Sequence, residues 1–114
     1  MALLIVALLM FAGAAVVGAA MAARRFGDKP ISMQVALTHG AFAALGLVLL
    51  IVAAGRGTSG LAIVALVLFL AAALGGFYLF SIYLRKKPLP IPVMLVHASA
   101  AVTAFLLLLI ATAR

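Results

Sequence analysis

Two residues stand out as able to do chemistry, His39 and His97, and they are the chain's only histidines. Each follows a Lys-Pro pair by the same interval: KPISMQVALTHG starts at Lys29 and KPLPIPVMLVHA starts at Lys87. A neutral imidazole is both a hydrogen-bonding group and a metal ligand. The chain has no cysteine, which excludes disulfides, thiolate catalysis and cysteine metal sites. Its single acid, Asp28, lies beside the first Lys-Pro and away from both histidines in sequence. The imidazoles must therefore be satisfied by hydroxyls, backbone, water, each other or a ligand.

The elements that carry them are apolar. Of 114 residues, 70% are hydrophobic, and the mean hydropathy is +1.50; a soluble domain is roughly half apolar. Four uncharged runs, Ala2 to Ala23, Ile31 to Gly55, Thr58 to Leu84 and Leu89 to Ala113, are each long enough to span a hydrocarbon core as a helix. They lack the alternation of barrel strands. The sequence predicts an all-α integral membrane protein, a four-helix up-down bundle forming one domain over 1–114. The helices are expected at about 2–23, 31–54, 59–84 and 89–113, with Pro90 and Pro92 in the first turn of the fourth and Thr58 or Ser59 capping the third.

Charge gives an orientation. The net charge is +7, but its distribution points to lipid and away from nucleic acid. Arg24, Arg25, Lys29, Arg85, Lys86 and Lys87 fall in the first and third loops, against Arg56 and Arg114 at the other end. By the positive-inside rule the basic loops 24–30 and 84–88 face the cytoplasm and both termini face out, in a bacterial inner membrane. Solvated loop charges that set topology account for this pattern, with anionic headgroups as their partner. The basic residues after the first run, and none before it, read as an uncleaved anchor.

The offset between the histidines, 58 residues, relates much of the chain to itself. Gly18 falls on Gly76, Lys29-Pro30 on Lys87-Pro88, Phe11 on Phe69 and Val35 on Val93. The repeat units are 1–56 and 59–114. Each is a two-helix hairpin, so both have the same orientation, and a pseudo-twofold axis along the membrane normal relates them. In an up-down bundle the second and fourth helices lie on a diagonal. His39 and His97 then face each other at equal depth, roughly 12 Å inside the basic boundary if the helices start where expected. A polar group so placed needs a partner.

Zinc takes four ligands, or three and water. Two histidines alone suit the axial positions of a haem, whose pyrrole nitrogens complete the coordination. Gly18 and Gly76, with Ala43 and Ala101 on the histidine faces, are expected to leave room for it, while bulky residues such as 47–52 and 105–110 fill the other half of the bundle. Gln34, Thr38, Tyr78, Ser81, Tyr83, Ser99 and Thr103 are secondary hydrogen-bonding candidates, and Tyr78 and Tyr83 are equally interfacial anchors. Met33 and Met94 read as packing residues. The plainer account is that small residues permit close helix packing, and that intramembrane histidines bond across helices.

On the histidine pair, the arrangement resembles transmembrane b-type cytochromes, four-helix bundles that hold haem b between histidines of two helices, and one half of a haem A synthase. The resemblance implies His39 and His97 as the metal ligands of one haem b per chain. It implies an electron carrier, more than a stand-alone enzyme, exchanging electrons with a quinone or a redox partner protein; a homodimer is compatible with it. The alternatives are a cofactor-free accessory subunit of a membrane complex and a haem-handling or haem-sensing protein. Small multidrug transporters share the length and helix number, but their essential membrane carboxylate has no counterpart here.

Overall fold

A computed structural model describes residues 1–114 as four helices without strands: α1 (Ala2–Phe26), α2 (Met33–Gly55), α3 (Gly60–Leu84) and α4 (Ile91–Ala113). All four are long and apolar enough to cross a membrane. The bundle measures 42 × 24 × 20 Å, and its long axis matches a bilayer with its headgroup regions, about 40–45 Å. Large apolar side chains such as Val16, Leu74, Phe77 and Val96 face outward, as lipid-facing residues do. The protein is an integral membrane four-helix bundle.

The helix ends differ from the sequence reading by up to three residues, each for a local reason. α1 continues through Arg24 and Arg25 to Phe26 before it stops. α2 begins at Met33, two residues late, because the Ser32 hydroxyl accepts the Val35 N–H at 3.2 Å and caps the helix there. Ser59, and not Thr58, does the same for α3, accepting from Ala62 N–H at 3.3 Å. α4 begins at Ile91, since Pro90 takes the N-cap with extended backbone and Pro92 falls within the first turn, where a missing N–H costs little.

The two basic turns have one geometry. The Lys29 N–H reaches back to the Arg24 carbonyl at 2.8 Å, and the Lys87 N–H to the Ile82 carbonyl at 3.3 Å. Both turns need one left-handed residue, and neither supplies glycine: Asp28 has φ 52° and Lys86 φ 57°. These positions are again 58 apart.

α1 packs closely on α2, and α3 on α4; the two hairpins meet more sparsely, α1 beside α4 and α2 beside α3. The diagonal helices meet through side chains alone. One such meeting is a face-to-face stack of Phe11 on Phe69, with ring centres 3.6 Å apart and planes within 5°. It lies on the line where the hairpins face each other, and it belongs to a buried cluster with Leu4, Ala7, Leu50, Ala65, Leu108 and their neighbours. That cluster occupies the half of the bundle near the termini.

The bulky layer expected of segments 47–52 and 105–110 is present in part, with Leu47, Leu49, Phe105 and Leu107 packed against this core. Leu50 and Leu108 are buried, but Val48, Ile51, Leu106 and Ile110 are exposed on the lipid side. The buried partners include Ala7, Ala53, Ala62, Ala65, Ala104 and Ala111. In lipid, apolar side chains gain little by turning inward, so close approach through small residues decides which face packs.

Candidate functional site

One helical turn from the Phe11–Phe69 stack, towards the basic loops, lies the histidine layer. Each histidine is held by the first helix of its own hairpin. His39, on α2, bonds through Nδ1 to the Ala14 carbonyl of α1 at 2.8 Å. His97, on α4, bonds through Nδ1 to the Ala72 carbonyl of α3 at 2.7 Å. A carbonyl only accepts, so Nδ1 carries the proton in both rings. In the neutral imidazole, Nε2 then keeps its lone pair, the tautomer that a metal-ligating histidine adopts when its other nitrogen donates to backbone.

The accepting carbonyls already belong to helices, and local sequence decides why they are reachable. Ala14 and Ala72 each precede a glycine by four residues, Gly18 and Gly76. The missing Cβ opens the helix surface beside the carbonyl, and the imidazole fills the opening. A Cβ built on Gly18 would stand 3.0 Å from His39 Cε1 and 3.2 Å from Nδ1. On Gly76 it would stand 3.2 Å from His97 Cε1, and on Gly75 3.6 Å from His97 Cβ. The glycines expected to make room for a cofactor thus first make room for the imidazoles themselves.

The two rings approach each other across the α2–α4 diagonal, with centres 6.3 Å apart and planes inclined at 73°. Both histidines are half-buried, as are Gly18, Gly76, Ala43 and Ala101. The contrast with the terminal half is clear: there Ala7, Leu50, Ala62, Ala65, Ala104 and Leu108 are fully buried. Around the imidazoles the buried residues are Ala14, Ala36, Ala72 and Met94, outside the contiguous cluster of the terminal half.

None of the hydroxyl-bearing residues proposed as partners bonds an imidazole, and several are engaged elsewhere. Thr38 donates to the Gln34 carbonyl, Thr103 to Ser99 and Ser81 to Tyr78, each within its own helix. Met33 and Tyr78 are exposed and Met94 is buried.

Sequence reasoning reads Arg25 as a loop charge and Tyr83 as a hydrogen-bonding candidate or interfacial anchor, and misses that both bond across the hairpins at the basic end. Arg25 Nε donates to the Leu89 carbonyl of the other hairpin at 2.8 Å. The Tyr83 hydroxyl donates to the Ile31 carbonyl, likewise across the hairpins, at 2.7 Å. Donors and acceptors are both related by the offset of 58. Different side chains at equivalent positions make the same bond, so an identity match between the units could not reveal it. Arg25 also pairs with Asp28 at 3.3 Å.

Comparison with protein-family models, curated proteins and solved structures gives no match.

Proposed function

We propose that the protein is a membrane-embedded b-type cytochrome, with His39 and His97 as axial ligands of one haem. The observation that carries this reading is the paired geometry of the imidazoles. Each donates Nδ1–H to a helix carbonyl and keeps an Nε2 lone pair. The ring centres are 6.3 Å apart. Two imidazoles bound opposite each other on one ion, at metal–nitrogen distances of about 2 Å, place their ring centres roughly 6 to 6.5 Å apart. The donor set fits haem iron better than a bare metal, since no third histidine, cysteine or acid stands with the pair.

Held there by His39 and His97, a haem would supply one-electron redox chemistry. The chain's own part is to orient and enclose. The carbonyls of Ala14 and Ala72 fix ring tautomer and direction. The Phe11–Phe69 stack closes the layer towards the termini. Lipid-facing side chains keep water from the pair. His39 and His97 are each six residues inside their helices, about 9 Å from the basic end, so electrons would enter and leave there, from a quinone or a redox partner protein. The six basic loop residues support placing that end in the cytoplasm.

The same ring geometry also suits a cofactor-free edge-to-face imidazole pair, for which aromatic centroids of about 4.5–7 Å are usual. An absorption spectrum of the detergent-purified protein, oxidised and then dithionite-reduced, separates the two. Low-spin six-coordinate haem, with a Soret band that shifts on reduction and sharp α and β bands, is expected. It should be lost in both His39→Ala and His97→Ala. A colourless protein that takes up no added haemin, or single variants with the parent spectrum, would sink the assignment.

A further inference from the structure

The geometry points to Arg25 and Tyr83 as positioning residues for the histidine pair: a two-point clasp that sets how far apart the hairpins stand where His39 faces His97. Each imidazole is fastened within its own hairpin. Nothing in those bonds fixes the separation of the two rings. That separation is a distance between hairpins, and the hairpins hold each other unevenly. Near the termini they are joined by the buried cluster around Phe11 and Phe69. Towards the basic loops, the polar bonds that cross between them are Arg25 Nε to the Leu89 carbonyl and Tyr83 hydroxyl to the Ile31 carbonyl.

The two bonds brace opposite sides of the seam. Arg25 ties the end of α1 to the segment leading into α4, and Tyr83 ties the end of α3 to the segment leading into α2. The accepting carbonyls lie just before each histidine helix, where no intrahelical N–H claims them. Pulling on these two segments together centres α2 and α4 on the pseudo-twofold axis. The histidine layer is thus held between an apolar stack on one side and a polar clasp on the other.

The chain has no cysteine of its own, so the separation can be read directly. Spin labels at Thr38→Cys and Val96→Cys, both exposed and each next to a histidine, report the gap between α2 and α4 by pulsed dipolar spectroscopy in the full-length protein. In the Arg25→Leu, Tyr83→Phe variant the distance distribution should shift outward and broaden. Because the two side chains do equivalent work, the exchanged variant Arg25→Tyr, Tyr83→Arg should restore the parent distribution. The exchange rebuilds both bonds with the donors swapped, so rescue assigns the effect to the bonds and not to the loss of either native side chain. An unchanged distribution in the Leu/Phe variant, or failure of the exchange to restore it, overturns the clasp.

Haemin titration of the unlabelled proteins gives the second arm, which rests on the haem reading. Affinity should fall about tenfold in the Leu/Phe variant, as expected for two lost hydrogen bonds, and return on exchange. A widened gap with parent affinity would overturn the positioning role. A parent that binds no haemin would refute the haem reading while the distance arm still decides the clasp.

Discussion

Adding one methyl group at Gly18 should stretch and weaken the bond of His39 to α1, whereas the same change at Gly76 should leave His97 in place. Ordinary carbon contacts begin near 3.4 Å, and the new Cβ of Gly18→Ala would stand 3.0 Å from His39 Cε1. The ring must retreat by about 0.4 Å, and Cε1 is bonded to the nitrogen that holds Ala14. The bond of 2.8 Å then lengthens to about 3.2 Å, the edge of the usual N–H···O range. At Gly76 the deficit is about 0.2 Å, and the His97 bond of 2.7 Å stays within that range. At Gly75 the nearest atom is at 3.6 Å and nothing need move. A hydrogen bond contributes about 0.5–1.5 kcal/mol net, and stretching it forfeits part of that. Gly18→Ala should therefore lie between neutral and a loss of about 1 kcal/mol once the helix-propensity gain of Ala over Gly, up to about 1 kcal/mol, is set against it. Gly76→Ala should be near neutral, and Gly75→Ala should stabilise by up to about 1 kcal/mol. Reversible unfolding in mixed detergent micelles would measure the series, with ¹⁵N chemical shifts of the two imidazoles showing which ring's bond has weakened. Equal stabilities for Gly18→Ala and Gly75→Ala, or a larger loss at Gly76 than at Gly18, would refute the reasoning.

Three further outcomes are expected. Lys86→Gly should stabilise by about 0.5–1 kcal/mol in the same assay, because Lys86 is held at φ 57°, where a side chain costs roughly 1–2 kcal/mol and glycine almost nothing, less glycine's greater freedom in the unfolded chain. Gly46→Ala should destabilise the parent, since its Cβ would stand 3.0 Å from the Phe11 ring, yet be neutral or favourable in a Phe11→Ala background; a double-mutant cycle with no coupling would contradict that contact. A topology reporter fused after Arg114 should read outside the cytoplasm, and a cytoplasmic reading would reverse the orientation drawn from the basic loops.

The sequence by itself determined the solvent and the architecture. Four uncharged runs separated by short basic or glycine-rich turns leave no other arrangement in lipid, because every backbone group must be paired within the span. It also determined that His39 and His97 stand at equal depth, since two hairpins of the same orientation translate an offset of 58 residues into one level. The helix starts were less legible: Ile31, Leu89 and Pro90 are apolar enough to read as helix, but the Ser32 cap and the proline at the N-cap of α4 place them outside it.

Only the tertiary structure decided how that level is built. The sequence left five kinds of partner open for the imidazoles; the structure selects the backbone, through carbonyls uncovered by Gly18 and Gly76. It turned Leu50 and Leu108 inward and Val48 and Leu106 outward, a choice hydropathy cannot make when both sides are apolar. It also gave Arg25 and Tyr83 one role that their side chains do not announce. Composition fixes which medium a segment occupies. Which face of a uniformly apolar helix packs, and which carbonyl a side chain reaches, depends on shape complementarity between hairpins far apart in sequence, and that exists only after they meet.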